Sequence, residues 1–364
     1  MSWQRKAGSA ADYTTATYLS KRSAMRLLFP AFTAHASFST LASRYDAFIL
    51  DQFGVMHNGK YSLPGAEECV KHLARERGLP LIILSNTSSP SKTTLGRLPG
   101  LGFDKSDFVG AVTSGEEAAR LIEETYGGGG NPAGAAPKRF VWFTWAPGNE
   151  NAPDPLRFLE KCGNVRPTLD ASQADFVVAH GSGCIRGADD GEEAKPLTRT
   201  MGSFLDDADM TEVDAVLREC AARDLPLICA NPDLVVMYHD GGFKHMPGKI
   251  AKRYESEDLG GKDRVTWFGK PHASHFEACL RELRIDRTRV AHVGDSLHHD
   301  VAGANAAGVD SIFVVGGIHR EELRGDGAVE EDGEELALAD EAALEAFFDR
   351  EGCEPTHVVP MFRL

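Results

Sequence analysis

The apolar run Ala47–Leu50 (AFIL) delivers one carboxylate, Asp51, and passes at once into a bendable segment holding Gly54 and Asn58-Gly59. A carboxylate placed directly after a buried strand is costly unless it is paired, hydrogen-bonded or bound to a cation. Strand ends that feed glycine-containing loops are also where open α/β sheets place their ligands. The same pattern recurs along the chain. Leu79–Leu84 (LPLIIL) is a continuous apolar run, fit for a strand buried on both faces, and ends in Ser85-Asn86-Thr87. Val265–Phe268 runs into Gly269-Lys270-Pro271-His272, and Val290–Val293 into Gly294-Asp295-Ser296. Amphipathic stretches separate these runs: Ala66–Arg77, with Cys69, Val70 and Leu73 at helical spacing, then Lys92–Leu98 and Ser274–Leu283. Strands alternating with helices predict parallel βαβ units and an α/β fold.

A second block repeats the alternation. The strand Phe108–Val112 ends in Thr113-Ser114-Gly115, with Ser114 the expected N-cap of a helix over Glu116–Tyr126. Strands are then expected over Arg139–Trp145, over Asp175–Ala179 (ending in His180-Gly181-Ser182-Gly183) and over Leu225–Cys229 (ending in Asn231-Pro232-Asp233). Helices are expected over Pro155–Lys161 and Met210–Ala222. At 364 residues the chain is long for one core. Residues 115–245 therefore read as a second α/β unit inserted into a first one made of 37–114 and 246–364. Residues 1–36 stand apart, with Arg5, Lys6, Lys21, Arg22 and Arg26 against the single acid Asp12. That composition fits either an organellar transit peptide or an extension packed on the body. The compartment is accordingly cytoplasmic, or mitochondrial or plastid if this segment is a transit peptide. Gly127–Gly130 opens a flexible connector, and the acidic stretches Asp189–Glu193 and Glu330–Glu335 read as solvated loops.

Charge and composition exclude several functions. The formal charge of −15 argues against non-specific nucleic-acid binding and against an acidic membrane partner. No apolar run approaches the roughly 18 residues of a membrane span, so the chain reads as soluble. The 7 cysteines are dispersed with no CxxC pair, which points to buried thiols in a reducing compartment rather than disulfides or a zinc site. No GxxxxGK[ST] phosphate loop is present. Trp142 and Trp145 read as core, His298-His299 as solvent-exposed, and His272 and His275 as helix-cap or surface residues. Oligomeric state is not legible, and a homo-oligomer remains open.

In a parallel sheet the strand ends carrying Asp51, Ser85-Asn86, Lys270 and the pair Asp295/Asp300 can converge on one edge. Together they have a coherent chemical purpose. Asp51 could attack phosphorus and become an aspartyl phosphate. Asp51 and Asp295 would supply oxygens to Mg²⁺, which prefers carboxylates and water. Ser85 Oγ and neighbouring N–H groups could hold a phosphoryl oxygen, and Lys270 would offset the gathered negative charge.

From Thr40 onward the chain resembles the haloacid dehalogenase-like (HAD) hydrolases, in particular class IIA, which carries a large C2-type cap. The resemblance rests on Asp51 after its strand, LSN at Leu84–Asn86, FGKPH with Lys270, and GDSLHHDVAGANAAG with Asp295 and Asp300. TSGEEA at Thr113–Ala118 and CANPDLVV at Cys229–Val236 look like the cap and its edges. The resemblance implies a Rossmann-like α/β core with a parallel sheet plus an inserted α/β cap domain that closes over the site and chooses the substrate. It implies Asp51 and Lys270 as catalytic, with Ser85, Asn86, Asn231 and Asp233 toward the substrate phosphate. Mg²⁺ would sit on Asp51, the backbone carbonyl of Phe53 and Asp295, with Asp300 as an outer orienting acid. The substrate would be a small phosphorylated metabolite. The alternative for Asn231-Pro232-Asp233 is a plain type I turn.

One position departs from the family pattern. Its phosphatases usually carry a second Asp, two residues after the nucleophile, as general acid/base; here that residue is Phe53. Such help is typically worth about 10²–10⁴ in rate. A phosphatase without it would be slow on alkyl phosphates and less handicapped on good leaving groups. His57 is a candidate substitute, on the expectation that an acidic site favours its charged form. Two other functions remain: a phosphate-ligand binding or regulatory protein with little turnover, and a metal-independent dehalogenase-like hydrolase.

Overall fold

The computed structural model describes residues 32–35, 37–128, 136–146, 148, 152–188, 196–237, 242–323 and 340–364. Nearly all of segment 1–36, most of the connector after Gly127 and both acidic loops lie outside the described residues.

In chain order the strands are β1 (Thr33–Ala34), β2 (Ala47–Leu50), β3 (Leu81–Ser85) and β4 (Gly110–Thr113). An inserted group follows: β5 (Lys138–Thr144), β6 (Val165–Pro167), β7 (Phe176–Ala179), β8 (Cys184–Ala188), β9 (Pro196–Thr200) and β10 (Leu227–Cys229). Then come β11 (Val235–Met237), β12 (Phe243–His245), β13 (Val265–Trp267), β14 (Val290–Gly294), β15 (Asp310–Val314) and β16 (His357–Val359). The first sheet has the order β1-β16-β15-β14-β2-β3-β4, and every pairing in it is parallel. Its central strands β2 and β3 read as apolar runs because helices cover both faces. Phe48, Leu50, Leu81, Ile83 and Val293 point to one side, against Cys69, Val70 and Leu73. Ala47, Ile49, Ile82, Leu84 and Val290 point to the other, against Phe276, Cys279 and Ala304.

The second sheet runs β13-β10-β7-β5-β8-β9, with β6 also paired to β5. It is mixed. β13, β10, β7, β5 and β6 are parallel, whereas β8 and β9 run antiparallel as an edge. β11 and β12 form a separate hairpin. The sequence pattern missed β6, β8, β9 and this hairpin, because short strands with one wet face lack a continuous apolar run.

Two expectations need correction. The first unit does not resume at residue 246. The helix Pro247–Tyr254 buries Ile250, Ala251 and Tyr254 against Leu217, Leu225 and Leu227 of the second unit, and Val265–Trp267 pairs in parallel with Leu227–Cys229. The chain returns to the first sheet only after Trp267. Ser114 is also not the N-cap. Thr113 takes that role, its Oγ1 accepting from Glu116 N–H at 3.3 Å. Ser114 Oγ instead donates to Ala230 O at 2.8 Å, stitching the two units together. All the cysteines are free, and all but Cys353 are buried. Among the described residues no helix is long and apolar enough to cross a membrane.

Candidate active site

β2 lies between β3 and β14, where the strand order departs in opposite directions. Loops leaving such a point separate and open a crevice at the C-terminal edge. Asp51 sits there at the end of β2, 9% exposed, with its N–H bonded to Val293 O at 2.9 Å. Ser85-Asn86 end β3, Asp295 follows β14, and the loop after β13 brings in Lys270.

Lys270 is the hub of this edge. It is 2% exposed, with Nζ 2.7 Å from Asp51 Oδ1 and 2.7 Å from Asp300 Oδ1. Asp300 also receives His292 Nε2 at 2.7 Å and Ser296 N–H at 3.0 Å. Although burial opposes ionisation, Lys270 and then His292 hold Asp300 below the usual carboxylate range. His292 Nδ1 lies 3.1 Å from Ile49 O, so both ring nitrogens face oxygens. The partners of Asp51 are less generous. Burial raises it to about 6, with Lys270 opposing and Asp300 adding to the rise. Asp295 is raised well above the ordinary range, first by burial and then by the carboxylates of Asp51 and Asp300.

This imbalance is the observation that fits a cation. Oxygens of Asp51, Asp295 and Asp300 lie within 4.8 Å of one another, and Lys270 already serves two of the three acids. Carboxylates so gathered suit Mg²⁺, a hard, oxygen-seeking ion. The backbone is shaped around the same group. A Cβ on Gly54 (φ +81°) would lie 1.9 Å from Asp295 Oδ2, and one on Gly317 2.2 Å from Asp295 Cβ. Asp295 is therefore gripped between two chain segments, with Ile318 N–H donating to Oδ2 at 2.8 Å.

The other expected residues are placed as follows. Ser85 Oγ accepts from Thr87 N–H at 3.4 Å. Asn86 is engaged on both sides of its amide: Oδ1 accepts from Lys270 N–H at 2.7 Å, and Nδ2 donates to Asp233 Oδ1 at 2.7 Å. Asn231 Oδ1 closes its own turn by accepting from Asp233 N–H at 3.0 Å. A Cβ on Gly248 would meet Pro232 O at 2.1 Å, so the Asn231-Pro232-Asp233 turn is wedged against its neighbours. Asn86 and Asp233 thus join each other across the seam between the units. The Phe53 ring meets the His57 ring edge-on at 6.4 Å between centroids.

Three histidine readings change. His57 is buried, its Nδ1 accepts from Gly59 N–H at 3.1 Å, and burial followed by Arg97 lowers it to about 4. It stays neutral, contrary to the expectation that the acidic site would favour its charged form. His275 is not a surface residue: it is buried, and its Nε2 accepts from Gly269 N–H at 3.0 Å beneath the Lys270 loop. His298 is exposed, but its neighbour His299 is only 31% exposed at the side chain, with Nδ1 3.9 Å from Asp233 Oδ1. Adjacent helical residues face different ways, and here one of them faces the cap. His292 was missed altogether. The signal was one polar residue inside the apolar run Val290–Val293.

Comparison with known proteins covers the same edge. A family model described as haloacid dehalogenase-like hydrolase matches residues 48–143, spanning Asp51, Ser85 and Asn86. A second, described as HAD-hydrolase-like, matches 267–334, spanning Lys270, Asp295 and Asp300. Human chronophin is 26% identical over 286 residues, covering 78% of this chain and 86% of that protein. The 4-nitrophenylphosphatase of Schizosaccharomyces pombe is 25% identical over 290 residues, covering 77% and 86%. A solved haloacid dehalogenase-like hydrolase from Brucella suis superimposes with a TM-score of 0.61 at 23% identity, covering 90% of this chain and 99% of its own.

Proposed function

The chain belongs to the haloacid dehalogenase-like hydrolases, and on that footing we propose that it is a Mg²⁺-dependent phosphohydrolase acting on phosphate monoesters of small metabolites. The observation that carries this reading is the chain of contacts Asp51–Lys270–Asp300, buried at the switch point of a parallel sheet. The phosphatase names of the relatives support the choice of a phosphoryl group over a carbon–halogen bond.

In the proposed reaction a carboxylate oxygen of Asp51 attacks phosphorus. The bond from phosphorus to the ester oxygen breaks, and its electron pair leaves with that oxygen. Water then attacks the aspartyl phosphate, releasing phosphate and restoring the Asp51 carboxylate. Lys270 holds Asp51 in place and contributes positive charge where negative charge accumulates. Asp300 and His292 fix Lys270 from behind. Asp51, the Phe53 carbonyl and Asp295 would hold Mg²⁺, which when bound offsets charge on the phosphoryl oxygens. Ser85 Oγ is the hydroxyl available to the phosphoryl group, while Asn86 acts by fixing Lys270 and Asp233. A net charge of −15 favours a compact anion neutralised locally over a polyanion.

The test is hydrolysis of 4-nitrophenyl phosphate with Mg²⁺ and with EDTA, beside Asp51→Asn. Turnover that requires Mg²⁺ and vanishes in the variant supports the proposal. Turnover surviving in Asp51→Asn would sink the covalent mechanism. Phe53 favours one competing function, a phosphate-binding protein with little turnover. Mg²⁺-dependent phosphate binding without hydrolysis would establish it instead.

A further inference from the structure

Phe53 leaves the reaction without the acid that would protonate a poor leaving group, and the neighbouring candidates are committed elsewhere. Asp51 is the nucleophile, and Asp300 is bonded to Lys270, His292 and Ser296. His57 is buried and its Nδ1 is taken by Gly59 N–H. His275 is buried against Gly269. Two titratable side chains that meet across the seam remain partly exposed. His299 is 31% exposed and Asp233 26% exposed at the side chain.

The two are tied to the reacting groups from opposite units. Asp233 Oδ1 accepts from Asn86, whose Oδ1 accepts from Lys270 N–H, and Lys270 Nζ touches Asp51. His299 lies on the turn Leu297–Val301 directly after Asp295, its N–H bonded to Ser296 Oγ at 3.3 Å. Its Nδ1 faces Asp233 Oδ1 at 3.9 Å and Ser296 Oγ at 3.4 Å, while Nε2 has no partner among the described residues. A carboxylate at one imidazole nitrogen fixes the tautomer and frees the other nitrogen to exchange a proton. Contacts of this kind are often long before a substrate binds.

From this geometry we propose that His299, oriented by Asp233 across the seam, serves as general acid and base in place of the missing carboxylate. The inference rests on the phosphohydrolase reading. In the first step Nε2–H gives its proton to the ester oxygen as the phosphorus–oxygen bond breaks. In the second, neutral Nε2 takes a proton from the attacking water, and phosphate leaves Asp51. The proton donated in the first step is regained in the second. Because the imidazole comes from one unit and its orienting carboxylate from the other, the pair is complete only where cap meets core.

The test compares β-glycerophosphate, a poor leaving group, with 4-nitrophenyl phosphate, a good one, in the Mg²⁺-loaded full chain. His299→Asn should lower kcat on β-glycerophosphate by about 10²–10⁴-fold. Its fold loss in 4-nitrophenolate release over the first turnover should be far smaller. Later turnovers should slow as phosphoenzyme accumulates, giving a burst of one 4-nitrophenolate per protein. Asp233→Asn should show the same asymmetry, weaker by about tenfold, as an orienting group does. Adding Phe53→Asp to His299→Asn should recover most of the β-glycerophosphate activity. Equal losses on both substrates, with no burst and no recovery, would mean that the pair only latches the cap and would overturn the proposal. Turnover unaffected by Asp51→Asn is a separate outcome, which removes the phosphohydrolase premise itself.

Discussion

The two sheets end their strands in different chemistry. At the C-terminal edge of the first, Asp51 and Asp300 share one lysine beside Asp295, all of them buried. The corresponding ends of β5 and β7 in the second carry Thr144, Trp145, His180 and Ser182. There His180 Nδ1 pairs with Thr144 Oγ1 at 2.9 Å, and burial lowers its pKa to about 3, so it remains neutral. Similar strand–loop architecture therefore builds a charged edge in the first unit and, at the ends of β5 and β7, an uncharged stretch in the second, whose β10 and β13 ends instead lead to Asp233 and Lys270 at the seam. On the proposed phosphohydrolase reading, the charged edge would do the bond-breaking on a bound phosphoryl group. The neutral stretch would then discriminate by shape and hydrogen bonding, with little to contribute to charge development. On the proposed reading, changes around Asp51 and Lys270 should abolish turnover generally, and changes at the ends of β5 and β7 should redistribute it among substrates.

The largest effect that would test this division is Lys270→Met. It leaves Asp51 and Asp300 buried without their shared cation, and breaking such a pair typically costs about 3–5 kcal/mol. Turnover should fall by at least about 10³-fold on every phosphate ester, consistent with losing a fixed charge at the reacting group. Chemical denaturation and kinetics on several esters would check both effects. A loss confined to one ester class would break the comparison. Gly54→Ala should come next. Its Cβ would need the position of Asp295 Oδ2, and the left-handed backbone adds strain of about 1 kcal/mol or more. Mg²⁺ affinity measured by titration calorimetry should drop by tenfold or more, about 1.4 kcal/mol, as Asp295 is displaced.

The contrast also accounts for what could be read from the sequence. Strands β2, β3 and β14 are buried on both faces, so each appears as an apolar run, broken in β14 only by His292, and the polar residue ending it is conspicuous. Asp51, Ser85 and Asp295 were legible for that reason. The antiparallel edge of the second sheet, β8 and β9, includes Arg186, Thr198 and Arg199, and no run marks it. The unit boundary was misplaced because Val265–Trp267 looks the same whichever sheet it joins; only its pairing with Leu227–Cys229 decides. Contacts across the seam were the least legible. Nothing in spacing brings Asp233 to Asn86, or His299 to Asp233, because the cap's orientation on the core sets those distances.

A smaller and more conditional effect concerns pH and metal. The folded protein without a cation holds protons on Asp51 and Asp295 more tightly than an unfolded chain does, with Asp51 raised to about 6. The stability that these protonated acids contribute is complete below the unfolded carboxylate range and is lost as pH rises through about 6. Mg²⁺ bound there as proposed would compete with those protons, so its stabilisation should run the opposite way. The rise in Tm on adding Mg²⁺ over EDTA should be slight near about pH 5 and several degrees near about pH 7.5. Equal increments at both values would mean that the metal does not bind these carboxylates. Lys270→Met should enlarge the pH dependence, since its charge now restrains the rise of Asp51.

The smallest effect lies on the neutral edge. Trp145 Nε1 donates to Ser88 Oγ at 3.1 Å, a hydrogen bond from the end of β5 to the loop that carries Ser85 and Asn86. Trp145→Phe keeps most of the buried ring and removes that donor. Its net cost should be about 0.5–1.5 kcal/mol, the usual contribution of one intramolecular hydrogen bond. The bond joins cap to core without touching Asp51 or Lys270, so the expected change is in KM, with kcat on 4-nitrophenyl phosphate moving by less than about threefold. Relative activity among alkyl phosphates should shift more than absolute activity on the aryl ester. A fall in kcat as large as that of Lys270→Met would show that the neutral edge takes part in the chemistry. The division between a reacting core and a selecting cap would then have to be redrawn at Ser88.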